Sequence, residues 1–331
     1  MPFGIVSTSF DSLSNKKETE SAAKAVDTVK VDSQVLLQAG GSDDASTRKV
    51  LIGAIDQGTS STRFLLFTKE GKIAAWAQKE TTQIFPADQV GWHEHDPLEI
   101  WQTVADCIRA VVEVLEKEIK RHNGREISGY EIASIGITNQ RETTIAWNSV
   151  TGATYYNAIV WDDTRTVSIA ADIAGGDDDR LRGKTGLPLA SYFAGTKVRW
   201  LLDNVPELRE DLAARPETVR FGTVDTWIVY QLTGAPPASP TDRAANVGGE
   251  FVTDASNASR WLFLDLQTAT WDGSLIEAVC GPHHVPLTAL PEVRTSSEVY
   301  ATLTKDSTGV EKLGGVPVAG ILGDQQAALC K

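Results

Sequence analysis

From residue 50 onward the chain sorts into short apolar runs separated by polar punctuation, with one long amphipathic stretch among them. Leu51-Ile52-Gly53-Ala54-Ile55 ends in Asp56 and predicts a buried strand. Residues 62–68 and 72–79 predict two more, with Glu70-Gly71 as the turn between them. A helix follows. Asp96 suits its N-cap, Pro97 its first position, and Glu99 stands three residues after the cap. Leu98, Trp101, Val104, Ala105, Ile108, Val112, Leu115 and Ile119 recur at helical spacing, and Asn123-Gly124 marks the stop. Residues 132–137, 143–147 and 157–161 predict strands, and 163–173 a helix. Asp225 is placed as the cap of a helix ending at Gly234. Residues 235–250, with three prolines and Gly248-Gly249, predict an exposed loop. Residues 272–280 predict a helix stopped by Gly281, and 316–322 a last strand before Gly323-Asp324. This mixture predicts an α/β domain with a mixed central sheet.

Residues 1–48 break the pattern. Rich in Ser, Lys, Asp and Ala, with Phe3 and Phe10 as the only aromatics, they predict a disordered tail. A mitochondrial transit peptide is disfavoured, because Arg48 is the first arginine and Asp11, Glu18, Glu20, Asp27 and Asp32 intervene. The net charge of -13 argues against a broad nucleic-acid face, which needs clustered Lys and Arg. Cys107, Cys280 and Cys330 are too scattered for a disulfide framework or a zinc cluster, and point to a reducing compartment, the cytoplasm by default. His93, His95, His283 and His284 lack a further ligand at zinc-like spacing. No apolar run approaches the ~18 residues of a membrane helix.

Three segments carry candidate chemistry. Asp56-Gln57-Gly58-Thr59-Ser60-Ser61 lies between two strands. Its glycine permits a tight turn whose amides could face an anion, and Thr59, Ser60 and Ser61 add hydroxyl donors. Asp56 at the strand end suits Mg²⁺ held through water, and Arg63 is near enough to help with charge. The same string also reads as a plain Ser/Thr-rich hairpin. Asn139-Gln140-Arg141-Glu142-Thr143 offers a donor fork beside an acceptor, as a polyol hydroxyl needs, or else a surface ion pair. Gly323-Asp324-Gln325-Gln326 places a carboxylate at a strand's C-terminal end, as a general base or as the next helix's cap. Trp161 and Tyr192 are either core aromatics or the apolar wall and phenol donor of a small-polyol site.

Taken in order, these segments resemble the FGGY carbohydrate kinases, and within them the branch that phosphorylates glycerol. The matching stretches run from about 50 to 329. They are Asp56-Gln57-Gly58-Thr59, Gly91-Trp92-His93-Glu94-His95-Asp96-Pro97, Gly136-Ile137-Thr138-Asn139-Gln140-Arg141-Glu142-Thr143-Thr144, Tyr156-Asn157-Ala158-Ile159-Val160-Trp161, Phe221-Gly222-Thr223-Val224-Asp225-Thr226-Trp227, Asn257-Ala258-Ser259-Arg260, Ser296-Ser297-Glu298-Val299-Tyr300 and Gly323-Asp324-Gln325-Gln326-Ala327-Ala328-Leu329. The resemblance implies an actin-like ATPase (ribonuclease H-like) fold of two domains, with glycerol and ATP as substrates and Mg²⁺ as cofactor. It implies that Asp56 binds the metal, and that Thr59, Ser60, Ser61 and Arg63 serve the phosphates. Gln140, Arg141, Glu142, Tyr192 and Gln325 would contact glycerol, Trp161 would line its carbon edge, and Asp324 would be the catalytic base. A homo-oligomer is left open.

Against that family the sequence suggests three parts: the tail 1–48, an N-terminal kinase domain over 49–315 with a surface insertion at 235–250, and at 316–331 the start of a second domain. The strand before Asp324 is then expected to lack its sheet. Because the chain ends at Cys330-Lys331, before the family's adenine pocket, it is expected to bind ATP poorly and turn over little alone. A kinase for another small polyol or sugar, and a non-catalytic glycerol- or partner-binding fragment, are the competing readings.

Overall fold

The computed structural model describes residues 26–38, 49–121, 129–236 and 245–329. Its strands in chain order are β1 (Thr28–Val31), β2 (Lys49–Gln57), β3 (Ser61–Phe67), β4 (Ile73–Glu80), β5 (Glu94–His95), β6 (Tyr130–Asn139), β7 (Thr144–Asn148), β8 (Ala158–Ile159), β9 (Val219–Thr223), β10 (Val252–Asp254), β11 (Leu264–Asp265), β12 (Thr270–Trp271), β13 (Glu292–Arg294), β14 (Ala301–Thr302) and β15 (Pro317–Gly323). A seven-stranded mixed sheet has the order β1-β4-β3-β2-β6-β15-β14, and a four-stranded sheet has the order β5-β8-β7-β9.

The large sheet follows from the apolar runs. Leu51, Gly53 and Ile55 alternate inward along β2, and Thr62, Phe64 and Leu66 along β3. The helix Pro97–Arg121 covers this face, burying Ile100, Val104, Cys107, Ile108, Val111 and Leu115 against Leu51, Ile55, Phe64 and Leu66. Each such side chain, fully buried, contributes about 1.5–3 kcal/mol. A second core gathers around the helix Ala194–Asn204, where Val198, Leu201 and Leu202 meet Phe221, Trp261, Phe263 and Val279.

Several expectations need correction. Residues 26–38, assigned to a disordered tail, are ordered. β1 pairs antiparallel with β4, and Leu36 of the helix Ser33–Gln38 is fully buried. The remainder of 1–48 outside β1 and that helix, the stop at Asn123-Gly124, and residues 237–244 of the expected insertion lie outside the described residues, save Val26, Asp27 and Asp32. On the insertion's C-terminal flank the expected exposed loop is partly core: Ala245 and Asn246 are buried, and Ala235 bridges Val247. β15 does not lack a sheet. It pairs in parallel with β6 and antiparallel with β14, so the boundary expected at 316 falls inside one sheet. Residues 157–161 contribute only the two-residue β8, and the helix expected from 163 is Val167–Ala174, because Asp163 and Arg165 are held in buried contacts first.

Asp225 is not a cap. Thr223 holds that position for the helix Val224–Thr233, and Asp225 is fully buried, accepting from Thr223 Oγ1 at 2.6 Å and Thr253 Oγ1 at 2.5 Å. Burial pushes its carboxyl up to about 7; nearby Asp254 adds to the rise and the threonine hydrogen bonds oppose it. A carboxyl raised in the folded state contributes full stability below its unfolded value near ~4, and that contribution is lost as pH climbs through about 7. Asp225→Asn is therefore expected to be more stable than wild type at pH 8, with the gap closing toward pH ~4. Urea midpoints at three pH values read this directly, and a pH-independent gap contradicts it.

Candidate active site

β2, β6 and β15 run parallel side by side, and their register places Gln57 beside Asn139 and Asn139 beside Gly323. The three segments singled out in the sequence therefore leave the sheet along one line, at the carboxyl ends of neighbouring strands. Crevices at that edge are where α/β sheets bind ligands.

In the first segment, Gly58 N–H donates to Ser61 O at 3.0 Å and closes the β2–β3 turn, so this amide serves the hairpin rather than an anion. Thr59 Oγ1 accepts from the Trp161 indole N–H at 2.9 Å, which leaves its own proton to give. Ser60 is exposed and Ser61 half-buried. Arg63 Nη1 lies 3.3 Å from Asp56 Oδ2, and its Nε donates to Gln78 at 2.9 Å, so Arg63 is turned toward the carboxylate. Burial raises the Asp56 carboxyl, Arg63 pulls it back, and the charge of Asp324 adds to the rise.

The second segment is almost wholly buried. Gln140 donates to Gln57 Oε1 (3.1 Å) and Gly58 O (3.2 Å) and accepts from Thr143 Oγ1 (2.8 Å). Its amide is engaged at both ends, so Gln140 braces two loops. Arg141 donates from Nη2 to Gln325 Oε1 at 2.7 Å, and its Nε stands 3.9 Å from Asp324 Oδ1. That Nε is buried without a hydrogen-bond partner. Glu142 has φ +60, a left-handed conformation costing on the order of 1–3 kcal/mol in a residue other than glycine, and such strain gathers at functional sites. Its Oε1 accepts from Arg260 Nε at 2.5 Å. Burial pushes the Glu142 carboxyl up, against the pull of Arg260, Arg141 and Lys197.

An aromatic pair stands beside these groups. The Trp161 and Tyr192 rings meet edge to face at 5.5 Å. Burial raises the Tyr192 phenol, and Glu142, Arg260, Arg141 and Asp324 all act on it electrostatically. Arg141, Glu142, Trp161, Tyr192, Asp324 and Gln325 are thus brought together; Asp56 and Thr59 join them along the strand-end line, and Arg63 is held between Asp56 and Gln78.

Two residues in this site were not identified from the sequence. Arg260 grips Glu142 and lies over the Tyr192 ring at 5.4 Å. Lys197 is fully buried and donates to the Ser191 and Tyr192 carbonyls at 3.1 and 2.6 Å, its ammonium lowered to about 7 by burial. The signal for Arg260 was the Asn257-Ala258-Ser259-Arg260 string itself; Lys197 stood in a helical segment with nothing to mark it as buried.

The chain is similar to several known proteins. The domain described as "FGGY family of carbohydrate kinases, N-terminal domain" matches residues 51–330. "Glycerol kinase 2" of Streptomyces coelicolor is 46% identical over 287 residues, covering 86% of this chain and 50% of its own length. "Glycerol kinase" of Brucella anthropi is 46% identical over 279 residues, covering 84% of this chain and 49% of its own. The chain thus spans about half the length of the curated relatives it matches. Among solved structures, Plasmodium falciparum glycerol kinase with ADP superposes with a TM-score of 0.73 at 29% identity, over 84% of this chain and 49% of that one. Gluconate kinase from Lactobacillus acidophilus, at 23% identity and a TM-score of 0.64 over 83% of this chain and 48% of that one, shares the fold. With the domain match spanning nearly all of the described sheet and every segment of the strand-end line, the chain belongs to the FGGY family of carbohydrate kinases and has the actin-like fold of that family.

Proposed function

We propose that this chain supplies the polyol site and catalytic base of an enzyme that transfers the γ-phosphoryl group of ATP to glycerol. The observation that carries the reading is the convergence of Arg141, Glu142, Tyr192 and Asp324 beside the Trp161 ring, at one strand-end line. Glycerol offers hydroxyls that both donate and accept, plus one apolar edge. A guanidinium, a carboxylate, a phenol and an indole answer those needs.

Asp324 would take the proton of a terminal hydroxyl as its oxygen attacks the γ-phosphorus in line. Arg141, close to both Asp324 and Gln325, would keep the base aimed. Thr59, Ser60 and Ser61 would offer hydroxyl protons to phosphate oxygens. The donor set fits Mg²⁺: Asp56 is a half-buried carboxylate near the negative Asp324, and ions of this kind are held through one or two carboxylates with water and phosphate oxygens filling the rest. When bound, Mg²⁺ would neutralise charge on the transferring group.

Calorimetric titration with glycerol and, separately, with Mg-ATP tests the reading. Glycerol is expected to bind more tightly than xylulose or gluconate, and the reverse order would favour a kinase for a larger sugar. Glu142→Gln is expected to weaken glycerol about tenfold or more, since an acceptor for a hydroxyl proton becomes a weaker, uncharged one. Because burial raises the Glu142 carboxyl, wild-type affinity should fall on acidification at a pH above the ordinary glutamate range, and the Gln variant should lack that fall. Equal affinities for the two proteins at neutral pH would remove Glu142 from the site.

A further inference from the structure

Ser256 stands in the short helix Ala255–Ala258, just after β10, and its hydroxyl has both roles assigned by its partners. It donates to Asp254 Oδ2 at 2.7 Å, because a carboxylate oxygen can only accept. It therefore accepts the Gly323 N–H at 2.8 Å. Asp254 is fully buried and holds this arrangement from several sides. Its Oδ1 accepts from Asn257 N (3.0 Å) and Nδ2 (2.8 Å), and its Oδ2 also accepts from Ser256 N (3.1 Å) and Ser296 Oγ (2.6 Å). Asn257 in turn accepts from Asn139 Nδ2 at 2.9 Å, which ties the cluster to the end of β6. A chain of hydrogen bonds anchored on a buried carboxylate is polarised along its length, which makes the Ser256 oxygen a stronger acceptor than a free hydroxyl.

The anchored amide is the one immediately before Asp324. Gly323 is also where the Arg141 stem crosses β15, and a Cβ there would fall 2.3 Å from Arg141 Cδ. The end of β15 is thus fixed on one side by Ser256 and pressed close to Arg141 on the other.

We propose that Ser256, held by Asp254, is a positioning residue for Asp324, fixing the β15 terminus so that the carboxylate faces the substrate hydroxyl. This rests on the reading of Asp324 as the base. Misplacing a catalytic group by a fraction of an ångström costs rate while leaving most of the ground-state contacts in place. Glycerol is gripped chiefly by Arg141 and Glu142, so the loss should appear in kcat and not in KM.

The test uses Ser256→Ala and Ser256→Thr in a preparation of the protein that phosphorylates glycerol. Ser256→Ala is expected to lower kcat about tenfold with the glycerol KM within about twofold of wild type. The Gly323 amide, followed by NMR, should exchange with solvent faster in the same variant. Ser256→Thr, which keeps the hydroxyl, should restore both. An unchanged kcat, or kcat and KM moving together with a lower melting midpoint, overturns the proposal. Asp324→Asn is the separate arm. If it retains full turnover, the assignment of the base has failed, whereas a protected Gly323 amide in wild type and an exposed one in Ser256→Ala still report the anchor itself.

Discussion

In a preparation that phosphorylates glycerol, Asp324→Asn is expected to lower kcat by about 10²–10⁴-fold, the usual contribution of a positioned general base. Glycerol affinity should change far less, because Arg141, Glu142 and Tyr192 remain. The substitution also separates the two roles that a carboxylate at this position can have. Asp324 opens the helix Asp324–Leu329, and its Oδ1 accepts from the Gln325 N–H at 2.7 Å. Asparagine keeps an oxygen for that amide but cannot accept the substrate proton. A large loss of turnover with an unchanged melting midpoint identifies a base. A lower midpoint with turnover within tenfold of wild type identifies a structural cap, and the base must then be sought elsewhere.

Arg165→Met is expected to destabilise the fold by about 3–5 kcal/mol, the cost of leaving buried charges without their partner. The Arg165 side chain is fully buried. It donates to Asp163 at 2.8 and 2.9 Å and to Glu94 at 2.8 Å, and lies over the Trp92 ring at 3.7 Å and the Trp200 ring at 4.7 Å. Glu94 also accepts from Tyr156 and Asn157, and Asp163 from the His93 N–H. Methionine fills much of the volume but leaves two carboxylates in a dry interior. Urea unfolding followed by tryptophan fluorescence measures the loss, and a change under ~1 kcal/mol would show that the cluster is wetter than its burial implies. This network gives the Gly91-Trp92-His93-Glu94-His95-Asp96-Pro97 string its physical meaning. His93 directs its ring nitrogens at Asp162 and Gln83 and His95 directs one at Gln83, whose own amide donates to Thr59 O at 3.0 Å in the first loop.

What the sequence made legible was local. The helix Pro97–Arg121 could be read from its cap and its stripe, since both lie within one turn or a few of the residues they explain. β2, β3, β4, β6 and β15 announced themselves as apolar runs, and candidate groups at the ends of β2, β6 and β15 could be proposed because Asp56, Arg141-Glu142 and Asp324 lie at or just past those runs. What escaped depended on distant partners. Thr28–Val31 is a four-residue segment in a polar stretch, and only the free edge of β4 makes a strand of it. Asp225 looked like a cap because its burial is set by Thr253, which no nearby residue foretells. Ser256 and Arg260 lie in a segment whose contacts with Gly323 and Glu142 cross 67 and 118 residues. The bracing contacts of Gln140 were hidden for the same reason: its partners Gln57 and Gly58 are 83 and 82 residues away.

The placement of β15 has a consequence for synthesis of the chain. β6 pairs on one side with β2, which precedes it, and on the other with β15, about 180 residues later. At translation rates of 5–20 residues per second, β15 emerges roughly 10–40 s after β6. Through that interval β6 carries a naked row of amides and carbonyls along apolar Ile132, Ile135 and Ile137, the kind of edge that recruits other strands. The strand that delivers the candidate base is also the one that closes this edge. A nascent chain therefore covers the β6 edge and brings Asp324 to the candidate site in the same event.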